Sequence, residues 1–282
     1  MMLRSVITLL GRTGLALLCT LLVAIPAAAD WTLPPANGKF DYQIGGDYPL
    51  PTGVQVASRD WFAGTAPTNA YGICYVNAYQ TQANEPDVDR PDEKDNWPAD
   101  LVLTALGDDP NWDGEYLIDL STAEKRTAAA AWVKPMTQEC AAKGFRAVEF
   151  DNLDSWTRFQ ESPVAAQPPF GKSEALAYAA LIVADAHAAG LAAAQKNTAE
   201  LTSAEARTQV GFDFAIAEEC GRWQECGRYR ATYGNLVYVI EYRKKDFKAD
   251  CKKKKLRKHV SIVLRDVNVT QPGSGTYVYR AC

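Results

Sequence analysis

Nine short β-rich runs, most of them ending on polar side chains, limit most tightly what this chain can become. They are FDYQIGG (40–46), GVQVASR (53–59), YGICYVNAY (71–79), YLIDLS (116–121), RAVEFDN (146–152), LAAAQKN (191–197), FDFAIAEEC (212–220), NLVYVIEY (235–242) and SIVLRDVNV (261–269). Helical stretches separate several of them. In TAEKRTAAAAWVKPMTQECAAKG (122–144), Thr122 can cap the first turn, Glu124 lies in that turn and Pro135 is placed to kink the helix. SEALAYAALIVADAHAAG (173–190) opens on Ser173 and closes on Gly190, good N-cap and C-terminal residues. Repeated alternation of strand and helix predicts a parallel sheet with right-handed crossovers. Eight such units in about 250 residues predict a closed α/β architecture, a single (β/α)8 barrel over residues 30–282. One of the nine runs is then surplus, and the last is the expected extra strand or tail.

The first residues stand apart from that pattern. Arg4 and Arg12 precede the apolar run GLALLCTLLVAI (14–25), and PAAAD follows. A basic start, an apolar run short for a membrane span and an Ala-x-Ala site predict a signal peptide over residues 1–29, cut after Ala29. The mature chain is expected to be secreted, without stable membrane insertion, and monomeric. Of seven cysteines, Cys19 leaves with the leader. The six that remain are an even number in an exported chain, which predicts disulfides, but sequence alone does not choose among the many pairings. Proximity favours Cys220 with Cys226, and Cys251 with Cys282 would tie down the C-terminus. Cys74 and Cys140 are then a third pair or two buried thiols. His187 and His259 are the only histidines and no paired CxxC occurs, so neither a metal nor another cofactor is expected.

The net charge of −4 hides the basic segment RKKDFKADCKKKKLRK (243–258). It reads as a solvated surface loop lying away from any cationic substrate, the alternative being a patch for an anionic polymer or membrane headgroups, and it has too few aromatic residues for specific nucleic-acid recognition.

In a parallel barrel the C-terminal strand ends face one rim, where active sites sit. The polar residues that fall there include Gln43 and Asp47, Arg59 and Asp60, Asn77 and Gln80, and Asp119. Glu149, Asp151, Asn152 and Asp154 follow, then Lys196 and Asn197, Glu218 and Glu219, and Glu241 and Tyr242. Crowded carboxylates cost several kcal/mol to bury unless paired or neutralised, so the acids after GFRAV need a reason. Side chains alternate along a strand, which puts Glu149 and Asp151 on one face and turns Val148 and Phe150 toward the helices. In FDFAIAEEC, Glu218 shares a face with Phe214 and Ile216, and Glu219 lies on the other; alternation does not choose between the two acids. Two carboxylates at a barrel mouth, with Trp31, Tyr42, Tyr75, Trp112, Trp156 or Tyr242 to stack on sugars, fit glycoside hydrolysis. The competing reading is that the acids are buried ion pairs with Lys196 and Arg59. No GxSxG, phosphate loop or dinucleotide fingerprint is present, and His187 lies within a helical stretch.

FDYQIGG, YGICYVNAY, GFRAVEFDNLD, AHAAGLAAAQKN, FDFAIAEECGRWQEC and VIEY, in that order, resemble glycoside hydrolase family 114, the endo-α-1,4-polygalactosaminidases. The resemblance runs from about Trp31 to Tyr242. It implies a secreted barrel that cleaves α-1,4-linked galactosamine polymers by an endo, retaining, two-carboxylate mechanism. It carries the catalytic aspartate onto Asp151 and the catalytic glutamate onto Glu218, two residues before Cys220, and so decides what alternation leaves open. The family's KN pair falls on Lys196 and Asn197, and its EY pair on Glu241 and Tyr242. Ala217 stands where the family often has Asn, and Phe150 where it often has Pro; QTQANEPDVDRPDEKDNW (80–97) is also unusual. These departures bear on sugar preference. The expected substrate-binding residues are Gln43, Asp60, Tyr75, Asn77, Glu149, Asn152, Asp154, Lys196, Asn197, Glu219, Glu241 and Tyr242. Asp47, Asp60, Glu85, Asp87, Glu149 and Asp154 are candidates to hold the cationic amines of such a polymer. The alternatives are another α-linked, partly N-acetylated amino sugar, and a catalytically silent sugar-binding barrel.

Overall fold

A computed structural model describes residues 30–62, 64–83, 96–160 and 166–282. The expected signal peptide and the rim candidates Glu85 and Asp87 lie outside the described residues. Eight strands run parallel in chain order: β1 Phe40–Gln43, β2 Val56–Asp60, β3 Tyr71–Asn77, β4 Ala147–Asp151, β5 Ala192–Lys196, β6 Phe214–Glu218, β7 Val237–Glu241 and β8 Ser261–Arg265. β8 packs back against β1, so the sheet comes round nearly to closure. A short β9, Tyr279–Ala281, adds antiparallel to β8. Around the sheet lie α1 Ala123–Ala142, α2 Lys172–Ala188, α3 Cys226–Tyr233, α4 Lys244–Lys252 and α5 Lys254–Arg257, with a π-helical turn at Ala204–Val210. This is the α/β barrel that the alternation predicts.

The surplus run is the fourth, not the last. Among the described residues, YLIDLS pairs only through isolated antiparallel bridges, Leu117 to Gln80 and Ile118 to Val102. Its alternation reports burial, not a slot in the sheet: β3 pairs directly with β4, Tyr75 opposite Glu149 and Asn77 opposite Asp151. Asp119, expected at the rim, instead accepts from Lys125 and from the amide of Ser121. SIVLRDVNV supplies β8, and the extra C-terminal strand is β9. Thr122 caps α1 through the Lys125 amide. α2 begins one residue before Ser173, with Gly171 at its N-cap, and the Glu174 carboxylate accepts the Gly171 amide that a capping serine would leave open. The basic segment forms α4 and α5 instead of a loop. Phe247 and Leu256 anchor it while the lysines stay exposed, and Asn37 at the barrel base binds the Arg257 carbonyl.

Two apolar layers follow from the period-2 pattern. Inside the barrel, Phe40, Tyr42, Phe214 and Tyr238 fill the space left by Ala147, Ala192 and Ala194, large against small. Outside, Val148, Phe150, Ala215 and Ala217 pack against the helices. The faces of β4 and β6 are therefore as alternation assigns them, and Glu218 follows Phe214 and Ile216 up the interior. Three disulfides join Cys74 to Cys140, Cys220 to Cys226 and Cys251 to Cys282. The first pins β3 to α1, the second closes the loop after β6, and the third ties the C-terminus to α4.

Candidate active site

Parallel register stacks three carboxylates in steps around one lysine. Glu149 lies opposite Ala194, one pleat below Lys196, and Lys196 lies opposite Ile216, one pleat below Glu218. Asp151 is level with Lys196. The Lys196 Nζ is 3.3 Å from Glu149, 3.1 Å from Asp151 and 3.7 Å from Glu218. Side-chain exposure rises with the steps, from 0% at Glu149 to 15% at Asp151 and 25% at Glu218. Only the upper two carboxylates reach the mouth.

Each level has its own partners. At the bottom, Glu149 accepts from the Tyr42 hydroxyl at 2.8 Å and from Ser58. Burial raises its pKa; Lys196, Ser58 and Tyr42 offset part of that rise. At the middle level, burial would raise the Asp151 pKa too, but Lys196, the Asn152 amide at 2.8 Å and Tyr75 outweigh it and hold Asp151 below the ordinary carboxylate value. Burial alone would strip the proton from Lys196; Asp151, Glu218 and Glu149 reverse this and hold its pKa above the usual lysine value. Its Nζ also lies 5.3 Å from the Tyr42 ring centre and 5.5 Å from that of Tyr75, each a cation–π contact. At the top, Glu218 accepts from Asn197 Nδ2 at 2.8 Å and from the Tyr242 hydroxyl, while its own amide donates to Asn197 Oδ1 at 2.8 Å.

The chain leaves three of these strands under strain. Asn152, Asn197, Thr198 and Glu219 all have positive φ, between 49° and 66°. Asparagine tolerates that region; Thr198 and Glu219 do so at a cost of about 1–3 kcal/mol each, which the surrounding contacts must hold. The return is orientation: Asn152 aims its amide at Asp151, and Asn197 grips both ends of Glu218. Asn152 is fixed in turn, donating to Asn77 Oδ1 at 2.9 Å and accepting from Arg158. Asn77 donates onward to Glu115 at 3.0 Å, whose pKa burial pushes up to about 8.

The structure thus brings together Asp151, Glu218, Glu149, Lys196, Asn152, Asn197, Tyr75, Asn77 and Tyr242. Asp154 and Glu219 line the cleft above, Asp154 beside Arg158 and Glu219 bound to Arg222. Of the other expected site residues, Gln43 and Glu241 lie on the outward faces of their strands, next to interior Tyr42 and Ile240, while Asp60 stays on the interior face of β2. Gln43 bridges Asp41 and Arg59. Asp60 accepts the Phe62 amide in the turn after β2. Glu241 is fully buried and accepts the Gly221 amide. Asp47, a candidate for holding amines, pairs with Arg59 and Thr65. Among the aromatic candidates, Trp112 and Tyr242 reach the cleft, whereas Trp31 stacks on His187. Ser58, Glu115, Arg158 and Trp223 belong to the site or its cleft and escape the sequence reading. Ser58 alone had a signal: it shares the interior face of β2 with Val56.

The sequence model of glycoside-hydrolase family GH114 matches residues 22–282. The chain belongs to glycoside hydrolase family GH114. It is a glycoside hydrolase. Among solved structures, Ega3 of Aspergillus fumigatus in complex with galactosamine is similar at 18% identity and TM-score 0.68, over 90% of this chain and 99% of Ega3. The glycoside hydrolase domain of PelA from Pseudomonas aeruginosa is similar at 13% identity and TM-score 0.55, over 84% of this chain and 96% of that domain. At these identities the likeness is one of fold. No curated protein sequence matches.

Proposed function

We propose that this GH114 protein is a secreted, endo-acting, retaining hydrolase of α-1,4-linked galactosamine polymers, with Asp151 as nucleophile and Glu218 as acid/base. One observation carries the reading: Asp151 and Glu218 share the Lys196 ammonium. Oxygens 3.1 and 3.7 Å from the same Nζ can be at most the sum of those distances, about 6.8 Å, apart. Retaining pairs stand about 5–5.5 Å apart and inverting pairs about 6.5–9.5 Å, so this bound admits the retaining separation and only the shortest inverting ones; retention itself is the expectation that the family resemblance brings.

Glu218 gives its proton to the glycosidic oxygen as that bond to the anomeric carbon breaks. Asp151, kept ionised by Lys196, attacks the anomeric carbon and forms a glycosyl-enzyme ester. Glu218, now a carboxylate, takes a proton from water; the water attacks the same carbon and releases Asp151. Lys196 cannot be the proton donor, because three carboxylates hold its proton. Glu149 lies too deep to touch substrate and acts by positioning Lys196. The galactosamine reading draws on the family resemblance and on the ligand of Ega3. The excess of acids over cations around the cleft suits a cationic chain. The three disulfides support an extracellular setting.

Product analysis by mass spectrometry after incubation with α-1,4-linked galactosamine polymer tests this. Internal fragments from the free-amine polymer are expected. Cleavage of only the N-acetylated polymer overturns the substrate assignment, and binding without cleavage of either overturns the mechanism.

A further inference from the structure

The loop after β6 presents a large apolar surface to solvent. Trp223 is 62% exposed, yet it lines the same cavity, about 390 Å³, as Glu218. Exposure of an indole is ordinary on a mobile loop, but this loop is clamped. Cys220 and Cys226 are buried and joined. The Gly221 amide donates to Glu241 at 2.8 Å, and a Cβ on Gly221 would fall 1.5 Å from Asp250 Oδ2, so only glycine fits there. The Trp223 amide donates to the Glu219 carbonyl, and the Glu225 amide to that of Cys220. Arg222, paired with Glu219 at 2.6 Å, lies 4.5 Å from the centre of the Trp223 ring and fixes its plane. A rigid, exposed indole beside a catalytic carboxylate is already ordered for stacking, so little side-chain entropy remains to be lost on binding.

The charges around it select the occupant. Among the cavity's lining acids, Asp154 pairs with Arg158 and Glu219 with Arg222, and Glu218 lies 3.7 Å from Lys196. Glu200 and Glu225 line the same cavity and have no hydrogen-bond or ion-pair partner for their carboxylates among the described residues. Burial raises the Glu225 pKa, Arg228 offsets part of that rise without pairing with the carboxylate, and Glu200 adds to it.

We propose that Trp223 is the stacking platform of a sugar subsite adjoining the cleavage point, and that Glu200 and Glu225 receive the protonated amine of the hexosamine resting on it. This deepens the glycosidase reading above and rests on it.

The test uses α-1,4-linked galactosamine oligosaccharides of defined length, with free or N-acetylated amines. Trp223→Ala is expected to raise KM about three- to tenfold while kcat stays within about twofold, and Trp223→Phe to recover most of the loss. Glu200→Gln with Glu225→Gln is expected to raise KM about tenfold for the free-amine oligosaccharide and to leave the N-acetylated one unchanged. Both effects are also read as binding to the Glu218→Gln protein by calorimetry, which needs no turnover. Unchanged KM and affinity in Trp223→Ala overturn the platform. Equal losses on both oligosaccharides overturn the amine site. A parent enzyme that binds but cleaves neither substrate overturns the reaction assignment instead, leaving the binding comparison to judge the subsite.

Discussion

Replacing Lys196 with methionine keeps most of the apolar stem and removes the one charge that three carboxylates share. Lys196 is 1% exposed, with Asp151 at 3.1 Å, Glu149 at 3.3 Å and Glu218 at 3.7 Å. A unit charge pair at about 4 Å is worth about 4 kcal/mol at an effective dielectric near 20. Removing one partner of a buried pair typically costs about 3–5 kcal/mol, because the other charge stays behind. The larger end applies here, since more than one carboxylate is left. The sign follows from protonation. Asp151 has a depressed folded-state pKa, so its pairing stabilises the fold above the unfolded carboxylate value and is lost as pH falls. Lys196 has a raised one, so its contribution is complete below about pH 10 and does not change across the acidic range. The variant should therefore lose about 3–5 kcal/mol at pH 7 by urea titration, with the gap to wild type narrowing toward about pH 4. The acidic limb of kcat/KM should move to higher pH, each unit reporting about 1.4 kcal/mol of lost stabilisation of the Asp151 anion. A loss under about 1 kcal/mol at pH 7, or a gap that does not narrow in acid, would refute the claim that Lys196 neutralises this cluster.

Asp151→Asn and Glu218→Gln should each lower kcat by about 10²–10⁴-fold in a protein that still folds, with the lower melting temperature in Asp151→Asn because buried Lys196 loses its nearest partner; near-normal turnover in either removes that residue from the chemistry. Glu241 titrates up to about 7, because burial together with Asp250, Glu219 and Asp246 outweighs the Gly221 amide. A raised carboxyl pKa makes stability fall as pH climbs from about 4.5 through 7. Glu241→Gln keeps an acceptor for Gly221 and should flatten that slope, gaining up to about 3 kcal/mol at pH 8; an unchanged slope by thermal denaturation contradicts this. Cys220→Ser with Cys226→Ser should cost about 2 kcal/mol, as expected for so short a loop, yet weaken substrate binding because Trp223 and Glu219 lose their anchor; full affinity would show that the loop holds itself.

The barrel was legible because its signal repeats. Parallel strands buried on both faces must be apolar until they reach the rim, so Glu149, Asp151, Lys196 and Glu218 announced their ends. The fourth run misled because Leu117, Ile118 and Leu120 are buried by an excursion between β3 and α1, and burial looks the same in sequence wherever it occurs. Glu241 and Gln43 misled for a related reason. Alternation puts both on the outward face, since Tyr42 and Ile240 take the interior one, and each finds its partner there, Gly221 in one case and Asp41 with Arg59 in the other. The positive φ of Thr198 and Glu219 leaves no trace, since neither residue type favours it. Trp223 was hidden in a disulfide loop that carries no periodicity. For Asp151 and Glu218 alternation narrows the candidates and the family resemblance makes the choice.

The central claim is that Asp151 and Glu218 cleave an α-linked galactosamine chain by double displacement. Proton NMR of the reducing end first released from an α-1,4-linked galactosamine oligosaccharide tests it most directly. Retention predicts that the α-anomer appears first and relaxes to the equilibrium mixture. Initial release of the β-anomer would contradict the nucleophilic role of Asp151.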